Sequence, residues 1–259
     1  MKRVKILFII ISFFSFHAQA QNGLTNTDKS ALEGIIVEKY FIADSSDYND
    51  TLNPLPKGTI TYRIYVDMKP DYTLQLVYGN EKHPLTIQTS TQFYNNADCG
   101  ALIGYNVNYL KVNRSTFALD SWLTINSASN QYAGILKSED ADGSVLNRHS
   151  LNKTDGFTQG NLPVIKPFNI DLNFFNNDTN ASLFSTNNGG WAAITGVKSG
   201  SKGPTVENRV LIAQLTTDGK LSFDLNIQIG TPSGGAVQFV SKHAEGAEIK
   251  FDQLSFTTK

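Results

Sequence analysis

The chain is short of the residues that build covalent or metal-held scaffolds. Of its 259 residues, one is cysteine, two are methionine, two are tryptophan and four are histidine. A single thiol, Cys99, excludes an internal disulfide framework and any multi-cysteine zinc site. Beyond the first 20 residues the histidines are His83, His149 and His243. They read as surface residues, because a triad needs a base beside a nucleophile and no local pattern supplies one. There is no His-Glu-x-x-His, no Gly-x-Ser-x-Gly and no phosphate-cradling glycine loop. Metalloprotease, α/β-hydrolase and nucleotide-binding chemistry therefore lack their usual signatures. Charge is sparse as well, at 17% of residues and a formal net of −1. Nucleic-acid binding needs clustered Lys and Arg to neutralise phosphates, and no basic stripe is present. No long apolar run carries the 3.6-residue period of a helix.

What is present begins with a leader. Residues 1–20 read MKRVKILFIIISFFSFHAQA. Lys2, Arg3 and Lys5 precede an apolar run over 6–16, and Ala18 and Ala20 form a small-residue ending before Gln21. This is the pattern of a secretory signal peptide. The run is shorter than the roughly 20 residues a membrane-spanning helix needs, and no second run of spanning length follows. No cysteine follows the cleavage pattern, which excludes a lipoprotein leader. The mature chain is expected to be secreted, to the periplasm or the cell surface, without a membrane-spanning segment.

The dominant period after the leader is two. Over 59–68, Ile60, Tyr62, Ile64, Val66 and Met68 alternate with Thr61, Arg63, Tyr65 and Asp67. Over 221–229, Leu221, Phe223, Leu225, Ile227 and Ile229 alternate with Ser222, Asp224, Asn226 and Gln228. Such alternation predicts strands with one packed and one wet face. Residues 209–217 are apolar on both faces and predict a more buried strand. Asp218-Gly219 joins these last two runs, so 209–229 reads as a β-hairpin. Further strands are expected over 34–43, 72–78, 85–91, 116–125, 132–138, 181–185, 190–195, 236–241 and 249–256. A short helical turn is possible near 27–32. The polar stretches 44–58, 95–108, 139–161, 173–180 and 198–208 read as loops. The expected fold is all-β, an antiparallel β-sandwich of jelly-roll type. Residues 21–31 read as a short linker and 32–259 as one domain.

The blocks LEGIIVEKYFIAD (32–44), GTITYRIYVDMKPDYTLQLVYG (58–79), FYNNADCGA (93–101), LDSWLTI (119–125), GILKSEDADGSV (134–145), LFSTNNGGW (183–191) and VLIAQLTTDGKLSFDLNIQIGTPSGG (210–235) carry a resemblance. Together they resemble an extracellular module that recurs in large secreted proteins of the Bacteroidota, many of which bear a C-terminal type IX sorting domain. The resemblance spans about 32–257 and implies a location and an all-β module, not a reaction. The module is expected to end this chain at residues 256–259 without an appended sorting domain. Periplasm and cell surface both remain open as destinations. Relatives often carry arginine where this chain has Cys99, which lends the thiol no special role.

Candidate sites are few. Trp122 and Trp191 are the tryptophans, and an exposed indole stacks on sugar rings. Trp122 lies in the alternating run 117–125 and reads more readily as core, whereas the turn before Trp191 can present it at a rim. Two acidic loops have the oxygen chemistry for Ca²⁺: Asp44, Asp47 and Asp50, and Glu139, Asp140 and Asp142 before Gly143. The second is not an EF-hand, since Ser138 falls at the first position and His149 at the twelfth. The alternative for either loop is an acidic solvated turn. Glu33, Glu38, Asp120 and Glu139 are the carboxylates in or beside strands that glycoside hydrolysis would draw on. The expected function is non-catalytic: surface interaction, adhesion or ligand binding, with a cell-envelope or extracellular protein or a glycan as partner. The alternatives are a β-sandwich carbohydrate-active enzyme and a structural or assembly subunit of the envelope.

Overall fold

The computed structural model describes residues 24–45, 53–98, 100–112, 116–139, 156–175, 182–195 and 198–259. A helical turn, α1 (Asn26–Lys29), precedes β1 (Leu32–Ile42), β2 (Ile60–Met68), β3 (Thr73–Tyr78) and β4 (Leu85–Thr89). A largely irregular stretch follows, with β5 (Trp122–Leu123), β6 (Ala133–Gly134), β7 (Phe157–Thr158) and β8 (Val164–Phe168). The chain continues through β9 (Leu183–Thr186), β10 (Gly190–Thr195), β11 (Lys198–Ser199), β12 (Arg209–Thr217), β13 (Leu221–Asp224) and β14 (Asn226–Gly230). It ends with β15 (Ala236–Val240), β16 (Ile249–Lys250) and β17 (Ser255–Thr257). Among the described residues no helix is long and apolar enough to cross a membrane.

The architecture is all-β, with two layers around a shared core. The first layer has the order β1-β2-β12-β5. The second comprises two sheets, β17-β13-β4-β9 and β11-β10-β3-β14-β15-β16 with β8 also on β10, and the chain passes between them at β3–β4, β9–β10 and β13–β14. The β13–β14 run breaks only at Leu225, and Asn226 fixes that break. Its Nδ2 donates to the carbonyls of Tyr78 (3.1 Å) and His83 (2.9 Å), while its Oδ1 accepts the Ser241 N–H at 3.2 Å. Between the layers, Ile64, Val66, Met68, Val210 and Ile212 pack with Leu74, Val77, Ile227, Ile229 and Trp191 in one cluster. These pairings establish two all-β layers without establishing jelly-roll connectivity.

Several expectations are corrected. Strand β2 does not have a wet face: Thr61, Arg63 and Tyr65 are as buried as Ile64 and Val66. The irregular stretch after β4 covers the first layer's outer face, with Tyr40, Tyr65, Trp122, Tyr132, Phe157 and Leu211 in a second core cluster. Strand β12 is buried on both faces, as its composition implies. It does not form a hairpin with the next strand. β12 pairs with β2 and β5, whereas β13 pairs with β4 and β17, so residues 218–220 arch from one layer to the other. An Asp-Gly pair supplies a tight turn but does not choose between a hairpin and an arch. The lateral pairing of β12 decides, because β2 lies along one edge and β5 and Tyr94 along the other.

The runs 116–125, 132–138 and 249–256 are only partly strand, each broken by 3-10 or irregular backbone. Strand β8 was hidden by Pro167, which lacks an N–H; it pairs with β10 on one side. Residues 24–31, within the expected linker, pack against the core. Thr25 and Asp28 cap α1 reciprocally, the Tyr72 hydroxyl donates to Asp28 at 2.8 Å, and Ala31 is fully buried.

Candidate binding groove

The first layer ends at β1, and the geometry of that edge follows from its register. From Gly34 to Lys39 the pairing with β2 runs without a shift. In an antiparallel pair, both backbone polar groups of a residue point to the same side, and the side alternates along the strand. The Ile35 N–H leaves β2 and donates to Gln253 Oε1 at 2.9 Å. Val37 and Lys39, in phase with Ile35, therefore turn their N–H and C=O groups outward too. Among the described residues no strand pairs with β1 on this side.

The second layer presents a matching edge. Leu225 N–H donates to the Leu254 carbonyl and Thr258 N–H to the Leu221 carbonyl. Ser255 and Thr257, out of phase with those residues, point their backbone groups away from β13. Gln253 thus ties two strand edges together near Ile35, and beyond that tie a groove of 540 Å³ lies between them. Val37, Ile60, Tyr62 and Phe256 give it an apolar floor, and Lys39, Lys220, Lys259, Thr91 and Asp218 a polar rim. Burial pushes the Tyr62 phenol above its ordinary range.

The arch between layers closes one part of the rim. Thr217 Oγ1 accepts the Gly219 N–H at 3.0 Å and lies 2.6 Å from the Thr89 hydroxyl. Thr91 donates to Asp218 Oδ1 at 2.6 Å, and the Lys220 N–H donates to Ser90 Oγ at 2.8 Å. A Cβ on Gly219 would lie 2.5 Å from the hydroxyl oxygens of both Thr89 and Thr91, so this close approach requires glycine.

The polar residues of β2 serve a different purpose. Glu38, Arg63, Gln214 and Trp122 lie opposite one another across β1, β2, β12 and β5. Arg63 is 1% exposed. Its guanidinium carbon lies 3.6 Å from the Tyr40 ring centroid, Nε donates to Gln214 Oε1 at 3.0 Å, and Nη1 donates to the Gly156 carbonyl at 3.1 Å. Gln214 in turn donates to the carbonyls of Ala118 (3.0 Å) and Asp120 (2.7 Å). Burial pushes the Glu38 carboxyl above its ordinary range, against the pull of the Lys137 N–H at 2.6 Å and of the Arg63 charge.

The sequence-derived candidates fall elsewhere. Both tryptophans are core: Trp191 is 0% and Trp122 2% exposed, so neither offers a ring face to a sugar. Trp191 Nε1 donates to the Thr124 carbonyl at 2.9 Å, which turns the indole into a bolt between layers. Glu139 is held by Arg209 Nη1 at 2.8 Å, and Arg209 also reaches Asp67. Asp140, Asp142, Asp47, Asp50, His149 and Cys99 lie outside the described residues. Asp44 is exposed just past β1. Among the described residues no three His, Cys, Asp or Glu side chains cluster as a metal site would require.

Of the strand carboxylates, Glu38 and Glu139 feel each other's charge, but neither lines the groove. Asp120 is fully buried and accepts the Asn96 N–H at 2.6 Å; burial holds its carboxyl well above the ordinary range. His83 is not a surface residue: it is 4% exposed, with Nε2 at 2.8 Å from Glu248. The groove itself has no local sequence signature, because its lining comes from five separated segments. The available hint was a long β1 carrying Val37 and Lys39 in phase. No protein family, curated protein or solved structure matches the chain, so the site is read from its own chemistry.

Proposed function

We propose that the protein is a secreted, non-catalytic binding module of the cell envelope or its surroundings, and that the groove between β1 and β17 is its working surface. One observation carries this reading: a 540 Å³ opening with an apolar floor and a polar rim lies between two outward-facing strand edges. A concave apolar surface with a few placed polar groups is the usual form of a ligand site. Outside the groove, Arg63, Gln214 and Glu139 have structural work. Arg63 and Gln214 fasten the cover to the first layer, and Glu139 is bound to Arg209. The leader pattern supports export.

The test uses the purified full chain and a Lys39→Glu/Lys220→Glu variant. Both are titrated with acidic oligosaccharides, neutral oligosaccharides and extended peptides. At least one probe class is expected to bind and to weaken tenfold or more in the variant, with the thermal midpoint unchanged. Equal binding by both proteins would remove the groove from the account. Hydrolysis of an oligosaccharide that disappears in Glu38→Gln would replace binding with catalysis. Protease treatment of intact cells, which removes a surface protein and spares a periplasmic one, fixes the location.

A further inference from the structure

We propose that the groove takes an extended peptide, which adds to β1 as a short strand and carries an apolar and an acidic side chain on its groove-facing side. This rests on the groove being the working surface.

The backbone argues for a peptide. Val37 and Lys39 turn their N–H and C=O groups toward the groove, and a neighbouring strand is the ligand that satisfies such a row in register. The molecule already contains a one-residue imitation of that ligand. Gln253 Oε1 receives the Ile35 N–H at 2.9 Å, in the place where an added strand would put its carbonyl. The opening beyond it, from Val37 to Lys39, suits about three paired residues at ~3.4 Å each.

The side chains set the composition. Along an added strand, alternate residues lie on the groove side with Val37 and Lys39, which share one face of β1; that side asks for an apolar group over Val37, Tyr62 and Phe256 and, two residues along, for a group that meets the rim. There Lys39, Lys220 and Lys259 form no ion pair with a described carboxylate. The one rim acid, Asp218, is engaged by Thr91 at 2.6 Å. Charge complementarity therefore favours an acidic residue at that second position. A glycan fits less well. Tyr62 is 3% exposed, and one face of Phe256 is occupied by Phe223 at 5.2 Å and 22°, so little free ring surface remains for a sugar.

The experiment titrates the full chain with a fluorescent hexapeptide, Thr-Val-Thr-Glu-Thr-Val, which places valine and glutamate on one side of a strand. Three controls accompany it: the same peptide N-methylated at alternate amides, in both phases; the same peptide with lysine in place of glutamate; and polygalacturonate. The glutamate peptide is expected to bind. Affinity should fall at least tenfold for one N-methylated phase, for the lysine peptide, and for the Lys39→Glu/Lys220→Glu variant, whose unchanged thermal midpoint reports its fold. Bound peptide should also slow hydrogen exchange at the Val37 and Lys39 amides. Equal affinity for both N-methylated phases and the parent overturns strand addition. So does polygalacturonate binding that depends on the lysines while the peptide stays free, although the groove then survives as a binding surface. If no probe binds, and none distinguishes the variant from the parent, both readings fall.

Discussion

The two faces of strand β2 lie a single peptide apart and are buried by different means. On one face Ile64, Val66 and Met68 meet a second β-sheet. That sheet's backbone is satisfied by its own ladder, so only side chains meet and they are apolar. On the other face Arg63 and Tyr65 meet a cover of irregular chain. Irregular backbone brings unpaired N–H and C=O groups into the interior, and each needs a partner. Arg63 supplies one to the Gly156 carbonyl, Tyr65 to the Ile135 carbonyl at 2.6 Å, and Gln214 to those of Ala118 and Asp120. Polar side chains on a buried strand thus report the kind of structure that covers it.

The comparison can be broken from either side. Trp191→Ala removes the largest side chain of the apolar face and the bond to Thr124. By the usual cost of emptying an aromatic site, it should destabilise the fold by about 3–5 kcal/mol in denaturant titrations.

On the polar face, Arg63→Met should cost about 3 kcal/mol, since it strands Glu38 and the Gly156 carbonyl. Adding Glu38→Gln should recover part of that loss. A double-mutant cycle showing simple additivity would mean that Glu38 and Arg63 do not act as a unit.

Carboxylates near the two faces should respond to pH in opposite senses. Asp120, beneath the polar cover, has its pKa raised by burial. Its contribution is fully present below the ordinary aspartate range and is lost as pH rises through the raised value. Asp28 has its pKa lowered, first by the Thr25 N–H, then by the Thr25 hydroxyl and by Tyr72. Its contribution is present above the ordinary range and is lost as pH falls. The stability gap between the parent and Asp120→Asn should therefore shrink on raising pH from 4 toward 8. The smaller gap for Asp28→Ala should shrink on lowering pH below 4. Parallel changes in the two gaps would contradict these assignments.

Period-two patterning made the strands around Ile64, Val77, Ile87 and Ile227 legible, because the dry interface between sheets selects apolar residues at every second position. It misread Thr61, Arg63 and Tyr65 as solvent-facing, since a polar side chain bonded to a buried carbonyl looks in sequence like one bonded to water. The arch at Gly219 was missed for a related reason: turn chemistry is local, but the layer that each flanking strand joins is set by distant partners. Trp191 in the core was among the readings the sequence left open. The groove left one hint, Val37 and Lys39 in phase on a long β1, since Tyr62, Lys220 and Phe256 acquire a common meaning with them only once both layers exist.

The central pairing of the first layer joins Arg63 to Gln214, 151 residues later. Whether the chain leaves a ribosome or a translocation pore, its N-terminal end arrives first. The β1–β2 ribbon must then wait, with an aliphatic side and an aromatic side both uncovered, until β12 emerges and seats against it. Such a ribbon is sticky while it waits, and long-range closure is intrinsically slow. The shape of this fold therefore ties productive folding to completion of the last fifth of the polypeptide.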